Sequence, residues 1–120
     1  MKAHGSITMQ WQGDILLIHT LGPFNAEGML LAAKELRSCV RSAGKPHWFR
    51  LTVLDEETLG SPEVYELLRE FHRWASEQGC IATAVTASKQ IQIAWVRAIH
   101  EELGTTMRCF GDEDEARQWL

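Results

Sequence analysis

The chain is 120 residues long, 45% hydrophobic and 23% charged, with a formal net charge of -4. This is the balance of one folded domain with enough apolar residues for a real core, and it excludes a disordered or fibrous class. Lys and Arg are scattered singly rather than clustered, which argues against a nucleic-acid partner, and the longest apolar run, Ile15 to Ile18, is far too short for an integral membrane segment.

The N-terminal stretch MKAHGSITMQWQGD lacks the apolar core of a signal peptide, so a cytoplasmic location is expected. Cys39, Cys80 and Cys109 form no CxxC pair and fall at expected core positions. They read as buried free thiols rather than disulfide or metal ligands.

Ile7, Met9 and Trp11 alternate with Thr8 and Gln10, the two-residue period of a half-buried strand. Gln12-Gly13-Asp14 supplies a turn. Ile15-Leu16-Leu17-Ile18, apolar on both faces, reads as a more central strand that pairs antiparallel with the first and is broken by Gly22-Pro23. Asn25 is placed to cap a helix whose Met29, Ala32, Ala33, Leu36, Cys39, Val40 and Ala43 recur at three- and four-residue steps. Gly44 stops that helix, and Pro46 keeps it from resuming. Trp48 to Leu54 then reads as a mostly apolar strand carrying Arg50 and Thr52.

Ser61-Pro62-Glu63 is a helix start: a capping hydroxyl, Pro at the first helical position and an acid against the macrodipole. Val64, Leu67, Leu68, Phe71, Trp74 and Ala75 form its inward stripe, and Gly79 ends it. Ile81 to Val85 is the next strand. Gln90 to Leu103 follows as a helix with Ile91, Ala94, Trp95, Ala98 and Ile99 inward. Thr106 to Phe110 makes a last short strand, and Asp112 caps a terminal helix that docks Ala116, Trp119 and Leu120. The order ββαβαβαβα predicts one α/β domain over residues 1–120, with a mixed, mostly parallel five-stranded sheet and helices on both faces.

In open sheets of this kind ligands gather beyond the C-terminal strand ends. That singles out the Asp55–Ser61 loop, with Asp55, Glu56, Glu57, Thr58 and Ser61 as the partner- or ligand-facing set. Asn25, Thr86, Ser88 and Lys89 lie on the neighbouring loops. Asp55, an acid at the end of a buried strand, fits a magnesium or other metal ligand, a general base, a partner contact or a hydrogen bond to loop amides. His4, His19, His47, His72 and His100 show no HExxH spacing, and His72 and His100, off the apolar stripes, are expected in solvent. No GxSxG elbow and no Gly-rich phosphate loop is present. Neither an enzyme, a cofactor nor a metal is therefore expected. Leu30, Leu31, Ile93 and Val96 fall off the core stripes and could together form a homodimer or partner patch.

The N-terminal hairpin, the junction LTVLDEETLGSPEV, the helix ending WASEQG before CIATAV, and the closing MRCFGDEDEARQWL span nearly the whole chain. Together they resemble the STAS-type fold of anti-sigma factor antagonists, and more closely the uncharacterised bacterial STAS/CRAL-TRIO-like domains. The resemblance implies a non-enzymatic regulatory domain that binds a protein partner. It implies a phospho-switch at Thr58 or Ser61, although Gly60-Ser61-Pro62 departs from the usual Asp-Ser followed by a small residue and Gly. Lipid-binding relatives of the fold imply an alternative, a carrier of a small apolar or anionic ligand. A cavity lined by Trp48, Phe71 or Trp95 would favour the carrier, and a closed core with an exposed acidic loop would favour the protein partner.

Overall fold

The computed structural model describes residues 2–120. Its elements are β1 (Ser6–Gln12), β2 (Ile15–Leu21), α1 (Ala26–Ala43), β3 (Trp48–Val53), α2 (Pro62–Glu77), β4 (Cys80–Thr86), α3 (Gln90–Leu103), β5 (Met107–Phe110) and α4 (Glu113–Trp119). The expected order holds throughout. β2 runs three residues past the apolar run because Thr20 and Leu21 complete the hairpin register against Ile7 and Ser6.

The five strands lie in the order β1-β2-β3-β4-β5; β1 is antiparallel to β2, and β2 to β5 are mutually parallel. Each crossover therefore moves one strand over in the same direction. Crossovers of one hand that never reverse direction place their helices on one face of the sheet. That is the arrangement found. Met29, Ala33, Leu36 and Val40 of α1 and Val64, Phe71 and Ala75 of α2 pack with Leu16, Ile18 and Trp48, while Trp95 of α3 closes against the same cluster. Only α4, which is not a crossover, covers the other face, where Ala116 meets Leu17, Leu51 and Ala84. The expectation of helices on both faces is met by a three-to-one split.

Two contacts fix the lower edge of this frame. Trp48 is fully buried, its indole N–H donates to the carbonyl of Gln78 at 3.0 Å, and its ring meets the ring of Trp11 at 5.7 Å. Gly79 follows at φ +100°, where an added Cβ would lie 2.1 Å from the Pro46 carbonyl oxygen. Only glycine allows α2 to turn that closely into β4.

The inward face of α3 differs from the expected one. Ile99 is buried and Trp95 packs on the core as expected, but Ile91, Ala94 and Ala98 are exposed, and Gln92, Val96 and His100 are buried in their place. The helix is turned toward two polar obligations that an apolar count does not register: Gln92 meets loop carbonyls, and His100 meets Thr105. Val96 is consequently core rather than part of a surface patch, and Ile93 is half-buried, while Leu30 and Leu31 are exposed. His72 and His100, expected in solvent, are buried. The three cysteines are free and half-buried rather than fully buried in the core.

Candidate functional site

The loop after β3 is held from below by a compact set of hydrogen bonds. The Asp55 carboxylate accepts the Gly22 N–H at 2.9 Å, and the Asp55 N–H donates to the Thr20 hydroxyl at 3.3 Å. The Thr20 and Thr58 hydroxyls share a 2.7 Å hydrogen bond, and Thr58 is only 4% exposed. The backbone of Phe24 donates to Leu59 at 2.9 Å, tying the loop after β2 to the loop after β3. Gln92 completes the set from α3. Its amide nitrogen donates to the carbonyls of Asp55 at 2.7 Å and Thr58 at 3.1 Å, with Glu56 further away at 3.4 Å.

Asp55 and Thr58 thus have structural partners, as a strand-end Asp that hydrogen-bonds loop amides would. Glu56 and Glu57 point into solvent. Ser61 is exposed and caps α2, accepting from Val64 at 3.4 Å. Asn25 caps α1 through Gly28 and also binds His4 and Lys2 of the N-terminal arm. Thr86 is buried beside the loop, its carbonyl accepting from Leu54 at 2.9 Å, and Ser88 and Lys89 are exposed at the start of α3. Gln92 was not among the expected site residues. Only its position one turn into a helix that follows a parallel strand could have suggested that it reaches the loop.

Directly under this loop lies a cavity of about 70 Å³, walled almost wholly by apolar side chains between the sheet and the three-helix layer. Thr20, Phe24, Leu54 and Thr58 line its upper end; Met29, Ala32, Val85, Trp95 and Val96 line its middle; Phe71, His72 and Arg50 line its lower end. A one-directional strand order has no reversal point and hence no crevice at the strand tips. The space is inside the layer instead.

Arg50 is the unusual residue of this cavity. It is 2% exposed and, among the described residues, takes part in no ion pair. Nη2 donates to the Thr83 hydroxyl at 3.1 Å and makes a short contact with Nδ1 of His72. A guanidinium only donates, so Nδ1 of His72 accepts and the imidazole is neutral with its proton on Nε2. Nε and Nη1 of Arg50 are buried with no hydrogen-bond partner. Burial pulls the Arg50 pKa downward, opposed by the thiol of Cys80, but a guanidinium remains cationic at neutral pH. The Phe71 ring, 5.4 Å from Cζ, offers a cation–π contact worth about 1–2 kcal/mol. That does not offset the desolvation of an unpaired charge, which costs several kcal/mol.

The neighbouring imidazole of His100 packs edge-on to that of His72 with centroids 4.7 Å apart; its Nδ1 bonds the Thr105 hydroxyl, and its Nε2 is buried without a partner. A second, smaller cavity of about 10 Å³ lies here, between Arg50, His72, Cys80, Thr83, His100 and Thr105. Arg50 and His72 form the wall shared by the two spaces.

No protein-family model matches the chain, and no curated protein matches it. Among solved structures, it is similar to the crystal structure of an uncharacterized protein of the DUF3478 family with a SpoIIAA-like fold from Shewanella loihica PV-4. The TM-score is 0.71 at 17% sequence identity, covering 100% of this chain and 96% of that one. The domain has a SpoIIAA-like fold, the STAS-type architecture that the sequence resembles. No helix among the described residues is long and apolar enough to cross a membrane.

The buried imidazoles make stability depend on pH. Burial, and then the charge of Arg50, hold His72 well below the ordinary histidine value and His100 at about 4. The unfolded chain therefore takes up protons near pH 6.5 that the folded protein refuses. This contribution is complete above pH 6.5 and is lost as the pH falls toward 4. Urea unfolding should show His100 alone removing about 2 kcal/mol between pH 7.5 and 4.5. His100→Gln should lose less over that range than the native chain; equal losses would contradict the assignment.

Proposed function

We propose that this domain is a non-enzymatic binding module that takes a small apolar ligand into the space between its sheet and its three-helix layer. The observation that carries this reading is the cavity of about 70 Å³ under the Asp55–Ser61 loop, walled by Phe71 and Trp95 among other apolar side chains. Native interiors are close-packed, and a single water needs only about 10–15 Å³. The space is several times larger than one water and too apolar to hold a water cluster. An empty cavity of about 150 Å³ accepts benzene, so the occupant is small or slim. The polar groups at its upper end, Thr20 and Thr58, bind each other, and no nucleophile and base face one another across it.

Ala32 lies against this cavity and is buried. Ala32→Leu should fill part of it with the side chain the core would otherwise lack. Native mass spectrometry of the protein taken from its own host should then show loss of a bound small molecule, with the melting temperature unchanged or raised. A folded Ala32→Leu protein that carries the same ligand at the same occupancy would overturn the cavity reading.

A second reading, a protein-partner surface with a phospho-switch, is favoured by the contrast between the loop's pinned backbone and its exposed side chains. Asp55, Thr58 and Gln92 hold the frame, while Glu56, Glu57 and Ser61 are exposed on it. In this reading Ser61 takes the phosphate rather than the buried Thr58, because a phosphate there lies at the positive end of α2, where Val64 N–H already donates to the Ser61 hydroxyl. Ser61→Asp and Ser61→Ala proteins used as bait in host lysate should retain a specific partner to different extents. Identical recovery by both would remove the switch.

A further inference from the structure

We infer that two copies of this domain pair through β1, strand to strand and antiparallel about a two-fold axis, so that their sheets become one continuous sheet. The inference rests on the edge of the sheet and is independent of the cavity. The two edges differ in how they meet solvent. β5 is four residues long, carries the exposed Arg108, and has its Phe110 ring against Trp119 of α4. Shortness and charge are devices that keep an edge strand from pairing with another chain. β1 is seven residues long, pairs with β2 along its whole length without a register shift, and reads SITMQWQ, with no charge and no proline. None of those devices is present on it.

The turn decides which groups this edge offers. Gly13-Asp14 is a two-residue loop closed by Gln12 and Ile15, and such a loop makes its closing pair a hydrogen-bonded one. The Phe49 N–H, which donates to the Asp14 carbonyl at 2.8 Å, agrees: the even-numbered positions here bond β3, leaving Ile15, Leu17, His19 and Leu21 to bond β1. The backbones of Ser6, Thr8, Gln10 and Gln12 are therefore turned to β2. Those of Ile7, Met9 and Trp11 are turned outward.

This strand is complementary to itself. A two-fold axis through Met9 sets Met9 opposite Met9 and Ile7 opposite Trp11, each pair exchanging both of its backbone hydrogen bonds. On the side of the helix layer, Ile7, Met9 and Trp11 are half-buried and pack on the core. Pairing covers them further and makes Ile7 and Trp11 a β-branched and aromatic cross-strand pair. On the other side the exposed Thr8 stands opposite Gln10, polar and uncharged. No charged residue of β1 is set against its own symmetry mate, which is what an isologous contact requires.

The test combines analytical ultracentrifugation with amide hydrogen exchange on the full chain, from micromolar to millimolar concentration. The mass should rise toward twice the 13.6 kDa of one chain, and the amides of Ile7, Met9 and Trp11 should gain protection as it does. Thr8 and Gln10 are exposed, so charges there leave the fold of the single copy in place. Thr8→Lys with Gln10→Lys sets like charges opposite one another across the axis, whereas Thr8→Lys with Gln10→Glu sets opposite ones. The first pair should dimerise about tenfold more weakly than the second, from cross-strand interactions of about 1 kcal/mol at each of the two symmetry-related contacts. A chain that stays monomeric at every concentration would overturn the inference. So would a dimer that leaves those three amides unprotected, or one that both double variants form equally well.

Discussion

Every parallel crossover in this domain steps the chain one strand further in the same direction, and that regularity decides where the helices, the cavity and the polar groups lie. Helices α1, α2 and α3 are forced onto one face and share it, so a layer of three helices must close over the strands. Small residues at Ala32, Ala33 and Ala75 let the helices approach the sheet, and the bulk of Trp48 and Phe71 fills the lower half. The fit is incomplete between Ala32, Val85 and Val96, and the cavity is the consequence. The opposite face carries only the short α4 and is packed by Leu17, Leu51, Ala84 and Ala116. The same topology removes the strand-tip crevice in which α/β sheets commonly bind ligands.

Two groups of polar residues border the cavity, and they serve different ends. At the top, Thr20, Asp55, Thr58 and the amide nitrogen of Gln92 hydrogen-bond one another and the loop backbone, while Oε1 of Gln92 is buried without a partner; the exposed side chains of this roof are Glu56, Glu57 and Ser61. At the bottom, His72 accepts from Arg50, while Nε and Nη1 of Arg50 and Nε2 of His100 have no protein partner. A ligand within the cavity and a recognition loop above it are compatible, because Thr20 and Thr58 belong to both the cavity wall and the loop frame.

Most of the architecture was legible from pattern and punctuation. The α1 stripe from Met29 to Val40, the Ser61-Pro62 start of α2 and the glycine stop at Gly44 all follow from local chemistry and are found as expected. The inward face of α3 was not legible, because Ile91, Ala94 and Ala98 make a plausible apolar stripe while the face actually buried is chosen by Gln92 and His100. For the same reason Val96 and the two histidines were misplaced: polar residues enter a core when distant partners satisfy them, and those partners lie far away in sequence. Of the candidate site, the Asp55–Ser61 loop was visible as a strand-to-helix junction. Arg50 was visible only as a charged residue within an apolar strand. Its lack of a counter-charge depends on what α2, α3 and β4 bring around it, which no local pattern contains.

Binding in the space beneath the loop is the central claim to test. The most direct measurement is the set of intermolecular nuclear Overhauser effects between a bound apolar probe of three or four carbons, such as cyclopropane, and the methyl groups of the protein. Contacts to Ala32, Val85 and Val96, which line the cavity, are the predicted result. Contacts confined to the exposed Leu30, Leu31 and Ile91 would contradict it and move the binding surface to the outside of the helices.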